Sequence, residues 1–225
     1  MKLSEFDYDL PGELIAQEPL SERDSSRLLV LHRDTGRIEH RDFLDLTEYL
    51  RPSDVVIMNN SRVIRARLIG ARQSGGRIEV LLLRDRGQNL WEALVKPGRK
   101  VPIGTLLRFG DDLSGEVLDR TDDGGRLIRL TSEAPLEQAI EATGEVPLPP
   151  YIRKKISDPE RYQTVYAAAP GSVAAPTAGL HFTDRMFGRL RQSGVRTAFV
   201  TLHVGLGTFR SVQVEDIEGH RMHEE

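Results

Sequence analysis

The sequence predicts an α/β fold that carries an inserted small all-β barrel domain, and three observations carry that expectation. Residues 62–131 break into short β-type runs separated by glycine-bearing turns, the texture of a compact barrel or sandwich. The stretches on either side mix helix and strand signals, as an α/β frame requires. Beyond the β-rich stretch lies Pro147-Leu-Pro-Pro-Tyr-Ile152, whose prolines exclude a helix and favour an extended crossing back. The expected division is residues 1–61 with 148–225 as a discontinuous α/β domain and 62–147 as the insert.

In chain order, Pro11 suits the first position of a short helix over Leu10–Ile15. Arg27–His32 and Arg37–His40 flank Asp34-Thr-Gly36 and read as a hairpin. Asp42 caps a further helix through Phe43, Leu46 and Leu50, stopped by Pro52. The barrel strands are expected at Val63–Ile69, Arg77–Leu83, Leu90–Val95, Thr105–Phe109, Ser114–Leu118 and Arg126–Leu130, with turns at Gly75-Gly76, Gly110-Asp-Asp112 and Asp123-Gly-Gly125. A helix follows over Pro135–Thr143. Later, Thr183 caps another, with Phe182 and Phe187 as a hydrophobic staple, Met186 and Leu190 on the buried face and Gly194 as the stop. Arg196–Val204 reads as a strand.

Bulk properties narrow the chemistry. With 39% hydrophobic and 29% charged residues the chain reads as a soluble globular protein, and its apolar runs, such as Asp54–Met58 and Val80–Leu83, are too short to span a bilayer. The N-terminal segment lacks a signal-peptide core, so a cytoplasmic location is the expectation. The absence of cysteine excludes disulfides, thiolate nucleophiles and cysteine-ligated metals. A net charge of -3 does not mark the whole molecule as a nucleic-acid binder, although local patches can still act so.

Two small-residue segments carry the candidate chemistry. Gly171–Thr183 contains Pro176, Thr177, Ala178 and Gly179 and ends in His181 just ahead of a helix start, where backbone N–H groups suit a carboxylate or a ribose. Composition alone is equally compatible with a tight structural loop. His203-Val-Gly-Leu-Gly-Thr-Phe209, with Gly205, Gly207 and Thr208, leaves the end of a strand, the usual place for a ligand crevice in an open α/β sheet. It fails as a dinucleotide fingerprint, because Arg210 stands where a third glycine is needed, and a plain glycine turn is the competing reading.

Four of the six histidines, His181, His203, His220 and His223, fall in the last third of the chain and are the candidate proton carriers. His-Glu-x-x-His is absent, so no metal is expected at His220 and His223. Basic residues gather at Arg62, Arg65 and Arg67, at Lys96, Arg99 and Lys100, and at Arg153, Lys154 and Lys155. The last two groups adjoin turns or connectors from which they can reach phosphates, although a charge run is ordinarily a solvated face.

Taken in order, these segments resemble the S-adenosylmethionine:tRNA ribosyltransferase-isomerase family of queuosine biosynthesis. The resemblance runs through Phe6-Asp-Tyr-Asp-Leu-Pro-Gly-Glu13, Ile15–Pro19, Arg23–Leu28, Asn59–Ile64, Trp91–Lys100, Pro147–Ile152, Tyr162–Tyr166, Gly171–Thr183, Thr201–Phe209 and His220–Glu224. It implies S-adenosylmethionine used as a ribosyl donor, without a metal. It also implies a tRNA acceptor whose wobble base is a 7-aminomethyl-7-deazaguanine, and an epoxyqueuosine product released with adenine and methionine. Set against that chemistry, the histidines suit the base and acid, and Arg62 or the Ala174–Gly179 loop suits the methionine carboxylate. Lys96, Arg99, Lys100, Arg153, Lys154 and Lys155 suit the tRNA, with Phe182, Phe209 or Tyr151 beside an unstacked base.

Family members continue past the His220–Glu224 segment, so the expectation is a chain lacking a C-terminal part and poorly active by itself. Three rival readings remain at this stage: a noncatalytic RNA-binding module built on the barrel and its cations, a histidine-metal hydrolase, and ordinary methyl transfer, for which no glycine-rich signature is visible.

Overall fold

The period-2 alternation of the middle third closes into a barrel. In the computed structural model, which describes residues 1–122, 124–205, 207, 212 and 214–220, the first four strands are β1 (Arg27–Leu31), β2 (Ile38–Asp42), β3 (Val55–Asn59) and β4 (Ser61–Val63). The barrel comprises β5 (Arg67–Arg72), β6 (Arg77–Asp85), β7 (Leu90–Lys96), β8 (Leu106–Phe109), β9 (Leu113–Arg120) and β10 (Arg126–Thr131), hydrogen-bonded in the order β10-β7-β6-β5-β8-β9 and closed by β9 on β10. Alternate residues point inward: Ile78, Val80 and Leu82 on β6, Leu107 and Phe109 on β8, Ile128 and Leu130 on β10 are almost fully buried. Each such aliphatic side chain contributes about 1.5–3 kcal/mol of burial. One end of the core is sealed by Ala139 and Ile140 of helix α1 (Leu136–Thr143).

The remainder is the α/β part. β11 (Ala169–Ser172) runs parallel to β4, and β12 (Arg196–Val200) runs parallel to β3. Between β11 and β12 lies helix α2 (Asp184–Gln192), whose Met186 and Leu190 are buried with Phe43, Met58, Phe182 and Val195. Thr183 accepts from the Met186 N–H as the N-cap, and the Phe182 and Phe187 rings stand 5.7 Å apart, so both sequence signals for this helix are realised. β1 and β2 form the expected hairpin.

Several local expectations are revised. Leu10–Ile15 holds only a 3₁₀ turn, Gly12–Leu14, and Phe43–Tyr49 is likewise 3₁₀ rather than α, with the Asp45 carboxylate accepting from the Asp42 N–H at 3.2 Å. The expected strand Val63–Ile69 is two elements, since β4 pairs with β11 while β5 opens the barrel. The last strand ends at Val200, four residues short of Val204. No described helix is long and apolar enough to cross a membrane.

Candidate functional site

β3 and β4 form one nearly continuous run that changes partners midway, from β12 to β11, and Asn59-Asn60 sits at the change. Asn60 donates its N–H to the Val200 carbonyl (2.9 Å), while its own carbonyl accepts from Ala168 (2.8 Å) and its side-chain oxygen from the Thr201 hydroxyl (2.7 Å). The Asn59 amide donates to the Leu202 carbonyl (2.8 Å) and accepts from the Leu202 N–H (3.1 Å) and the Ser61 N–H (3.0 Å). A side chain thus continues the ladder where the strand stops. In open α/β sheets such a change of partners leaves a crevice at the strand ends.

Both small-residue segments meet at this place. The Val173 N–H donates to the Val204 carbonyl (3.0 Å), and the Ser172 hydroxyl accepts from the Val204 N–H (3.1 Å) while donating to the Ala174 carbonyl (2.7 Å). Gly171, at φ +136°, lies under the His203 ring, and a Cβ there would come within 3.0–3.3 Å of three ring atoms. His203 itself is exposed. Val173 reaches into the barrel core and Ala175 packs with Val63 and Tyr162, so the loop is pinned from both parts of the molecule.

Pro176 leads into a 3₁₀ turn over Thr177–His181, with Thr177 and Ala178 exposed and Gly179 buried. A Cβ on Gly179 would fall on the Tyr166 hydroxyl and within 3.0 Å of Thr164. Tyr166 is packed edge-on to Phe182 and Phe187, and burial pushes its phenol up to about 12. Tyr162 is raised as well, chiefly by burial. Buried Gln163 pairs both ways with the Val63 backbone, donating to its carbonyl (2.8 Å) and accepting from its N–H (3.0 Å).

The N-terminal segment clamps the other side. Arg23 donates to the Gln163, Leu180 and Glu160 carbonyls at 2.9, 3.2 and 2.9 Å. Burial is the main force lowering its guanidinium pKa. The fully buried Asp24 carboxylate accepts from the Thr183 hydroxyl (2.6 Å) and twice from Arg185 (2.6 and 3.1 Å), and the Arg185 bonds are the chief cause of its depressed pKa. His181 faces this clamp: its ring packs on Phe43 at 5.3 Å, and its Nδ1 stands 3.4 Å from the Arg23 carbonyl. His181 and His203 therefore have separate neighbours. His220 follows the 3₁₀ turn Ile217–Gly219, beside the N-terminal residues, where Ile217 donates to the Met1 carbonyl. Gly205 and Gly207 are half-buried, whereas Thr208, Phe209 and His223 lie outside the described residues. Among the described residues no three histidine and acidic side chains converge to hold a metal.

The basic residues divide by their partners. Arg62 pairs with Glu160 (2.5 Å) and Arg65 with Glu141 (2.9 Å); all four line a pocket of about 130 Å³ between the barrel and the α/β part. Lys154 pairs with Glu18 (2.5 Å), and the Arg153 N–H donates to Gln17. Lys96, Arg99 and Lys100 are exposed, and none has a carboxylate within salt-bridge distance among the described residues. Sequence reasoning gave no role to Asn59, Asn60, Arg23, Asp24 or Tyr166. Only the asparagine pair carried a legible signal, two polar residues directly after the apolar run Val55–Met58.

Compared with known proteins, residues 3–225 match the family model described as "Queuosine biosynthesis protein". The chain belongs to that family. Curated members named S-adenosylmethionine:tRNA ribosyltransferase-isomerase are 55% identical in Desulforamulus reducens, 56% in a Thermoanaerobacter species and 52% in Clostridioides difficile. Each match covers 100% of this chain and 67% of the relative, so the chain spans about two thirds of the length of these family members. A solved family structure, the S-adenosylmethionine tRNA ribosyltransferase of Thermotoga maritima, is 40% identical over 89% of this chain and 58% of that one, with a TM-score of 0.37.

Proposed function

We propose that this chain carries the donor-binding and proton-transfer part of a ribosyltransferase-isomerase. In the reaction, the ribosyl unit of S-adenosylmethionine moves to the aminomethyl nitrogen of a 7-aminomethyl-7-deazaguanine at the tRNA wobble position, giving epoxyqueuosine and releasing adenine and methionine. The observation that carries this reading is the meeting of the Gly171–Ala175 loop and the Leu202–Val204 run at the Asn59-Asn60 partner change, in a chain whose relatives bear that enzyme's name.

The chemistry assigns roles. A sulfonium acidifies the adjacent C5′ protons, so a base there opens the rearrangement, and departing adenine needs a proton. His203, exposed and held over Gly171, is positioned to exchange protons with a bound ligand, and His181 is the second candidate carrier. In the Pro176–Gly179 turn, exposed Thr177 and Ala178 offer backbone N–H groups to the donor's carboxylate, whereas the Gly179 N–H is already given to the Pro176 carbonyl. Arg62 is already matched by Glu160, so it serves that carboxylate only if the ion pair opens. We divide the labour along the domains: residues 1–61 and 148–225 hold the donor, and the 62–147 insert presents Lys96, Arg99 and Lys100 to tRNA. Arg153, Lys154 and Lys155 lie after the connector, where Arg153 and Lys154 meet Gln17 and Glu18 of the N-terminal segment, and add to that contact, Lys154 only if its ion pair with Glu18 opens. With tRNA as the acceptor, the location we propose is the cytoplasm.

Isotope transfer tests the reading. With S-adenosylmethionine labelled in the ribose carbons, label is expected to enter precursor-bearing tRNA, whereas label in the methyl group is not. Methyl label in the RNA would replace this proposal with ordinary methyl transfer. Salt-sensitive tRNA binding with neither label transferred would leave a noncatalytic RNA-binding module.

A further inference from the structure

The barrel contains one inward position that breaks its own pattern. On β10 the buried series is Arg126, Ile128, Leu130, so an arginine occupies a place that the alternation reserves for an apolar side chain. Its guanidinium has no carboxylate partner among the described residues. Instead Nε donates to the Val101 carbonyl (3.0 Å), one terminal nitrogen to Gly98 (2.8 Å) and the other to Gly125 (2.9 Å) and Gly124 (3.2 Å). A second arginine, Arg72 of β5, donates to the Lys100 carbonyl at 3.3 Å. Three of the four carbonyls from Gly98 to Val101 thus accept from guanidinium groups, and the intervening side chains, Arg99 and Lys100, project outward without acidic partners.

We infer that Arg126 and Arg72 are positioning residues that hold the Pro97–Val101 loop as a rigid, doubly reinforced cationic finger for the phosphate backbone of RNA. Burying an uncompensated cation is costly, so a loop needed only to connect β7 to β8 would be closed more cheaply by an apolar residue at position 126. The arrangement makes physical sense where positive potential must be concentrated and fixed. One buried charge, Arg126, and the half-buried Arg72 add to the two exposed ones, and the loop loses little conformational entropy when a phosphate docks. Arginine is required because one planar fork reaches the Gly98 and Val101 carbonyls of this loop and the Gly124 and Gly125 carbonyls of the turn between β9 and β10 at once, which a lysine ammonium cannot do. This rests on the proposal that the acceptor is tRNA, and adds which residues shape the contact and why.

The test separates charge from positioning. The Arg99→Ala/Lys100→Ala double variant is expected to weaken tRNA binding and to lower the slope of log affinity against log salt by about two. Arg126→Lys keeps the charge and removes the fork. It is expected to weaken tRNA affinity about tenfold and to speed amide exchange at residues 98–101, with S-adenosylmethionine affinity unchanged. Arg72→Gln, a change nearer the surface, is expected to act in the same direction and guards against a barrel that Arg126→Lys fails to fold. If the double variant binds tRNA as the parent does, the loop is not the RNA contact. If the double variant loses binding while both Arg126→Lys and Arg72→Gln retain affinity, salt slope and slow exchange, the positioning inference is overturned.

Discussion

Gly171 and His203 depend on each other. The glycine's φ of +136° suits no other residue, and any Cβ at this site would press on the imidazole. Gly171→Ala is expected to cost about 1–3 kcal/mol from backbone strain and to displace the ring, so turnover should fall further than donor affinity. Thermal unfolding and steady-state kinetics on the same variant check both halves. His203→Ala is expected to lower kcat by about 10²–10⁴ while tRNA binding persists. His181→Ala, because its ring packs on Phe43, is expected to lower melting temperature as well as turnover. Retention of full turnover by both histidine variants would remove them as proton carriers. Asp24 is a different case: fully buried and bonded by Thr183 and Arg185, it ties the N-terminal segment to α2. Asp24→Ala is expected to destabilise by about 2–4 kcal/mol, the larger part from hydrogen bonds left unmade, measured by denaturant unfolding.

Among the elements, the β1–β2 hairpin carries its own acid-sensitive lock. Arg41, His32 and Tyr49 all donate to the Glu39 carboxylate, in that order of influence, and Arg37 stands 2.7 Å away, which brings the Glu39 pKa down to about 2 from 4.5. A depressed carboxylate stabilises the fold above its unfolded value and loses that contribution as pH falls through the folded one. The melting temperature is therefore expected to drop between about pH 4.5 and pH 2. Glu39→Gln should flatten the profile there, and circular dichroism melts showing identical slopes for parent and variant would contradict the lock. Elements were legible where their cause was local. The glycine turns punctuated the barrel strands, and Thr183 with Phe182 and Phe187 marked the start of α2 within six residues. What escaped was set by distant partners. Sequence assigns Val63 to a barrel strand running to Ile69, and only the arrival of β11 from over a hundred residues away takes Ser61–Val63 out of the barrel. Likewise Arg62, Arg65 and Lys154 read as available cations until Glu160, Glu141 and Glu18 fold beside them.

At the scale of the whole molecule, two cores meet at the candidate site. The barrel core includes Val173 from the Gly171–Ala175 loop, and the α/β core includes Phe182 from the far end of the same segment. Loosening the barrel should therefore be felt at the loop. Leu82→Ala, deep inside the barrel, is expected to cost about 2–5 kcal/mol and to weaken donor binding although it lies outside the loop. The central claim is that a charged sulfur nucleoside gives up its ribose at the Asn59-Asn60 partner change, next to a tRNA anticodon. Chromatographic detection of free adenine tests it most directly, using S-adenosylmethionine with tRNA that carries the aminomethyl precursor or lacks it. Adenine release that requires the precursor base and falls in His203→Ala is the expected result. Release that ignores the RNA, or no release from a protein shown to bind both partners, would contradict it.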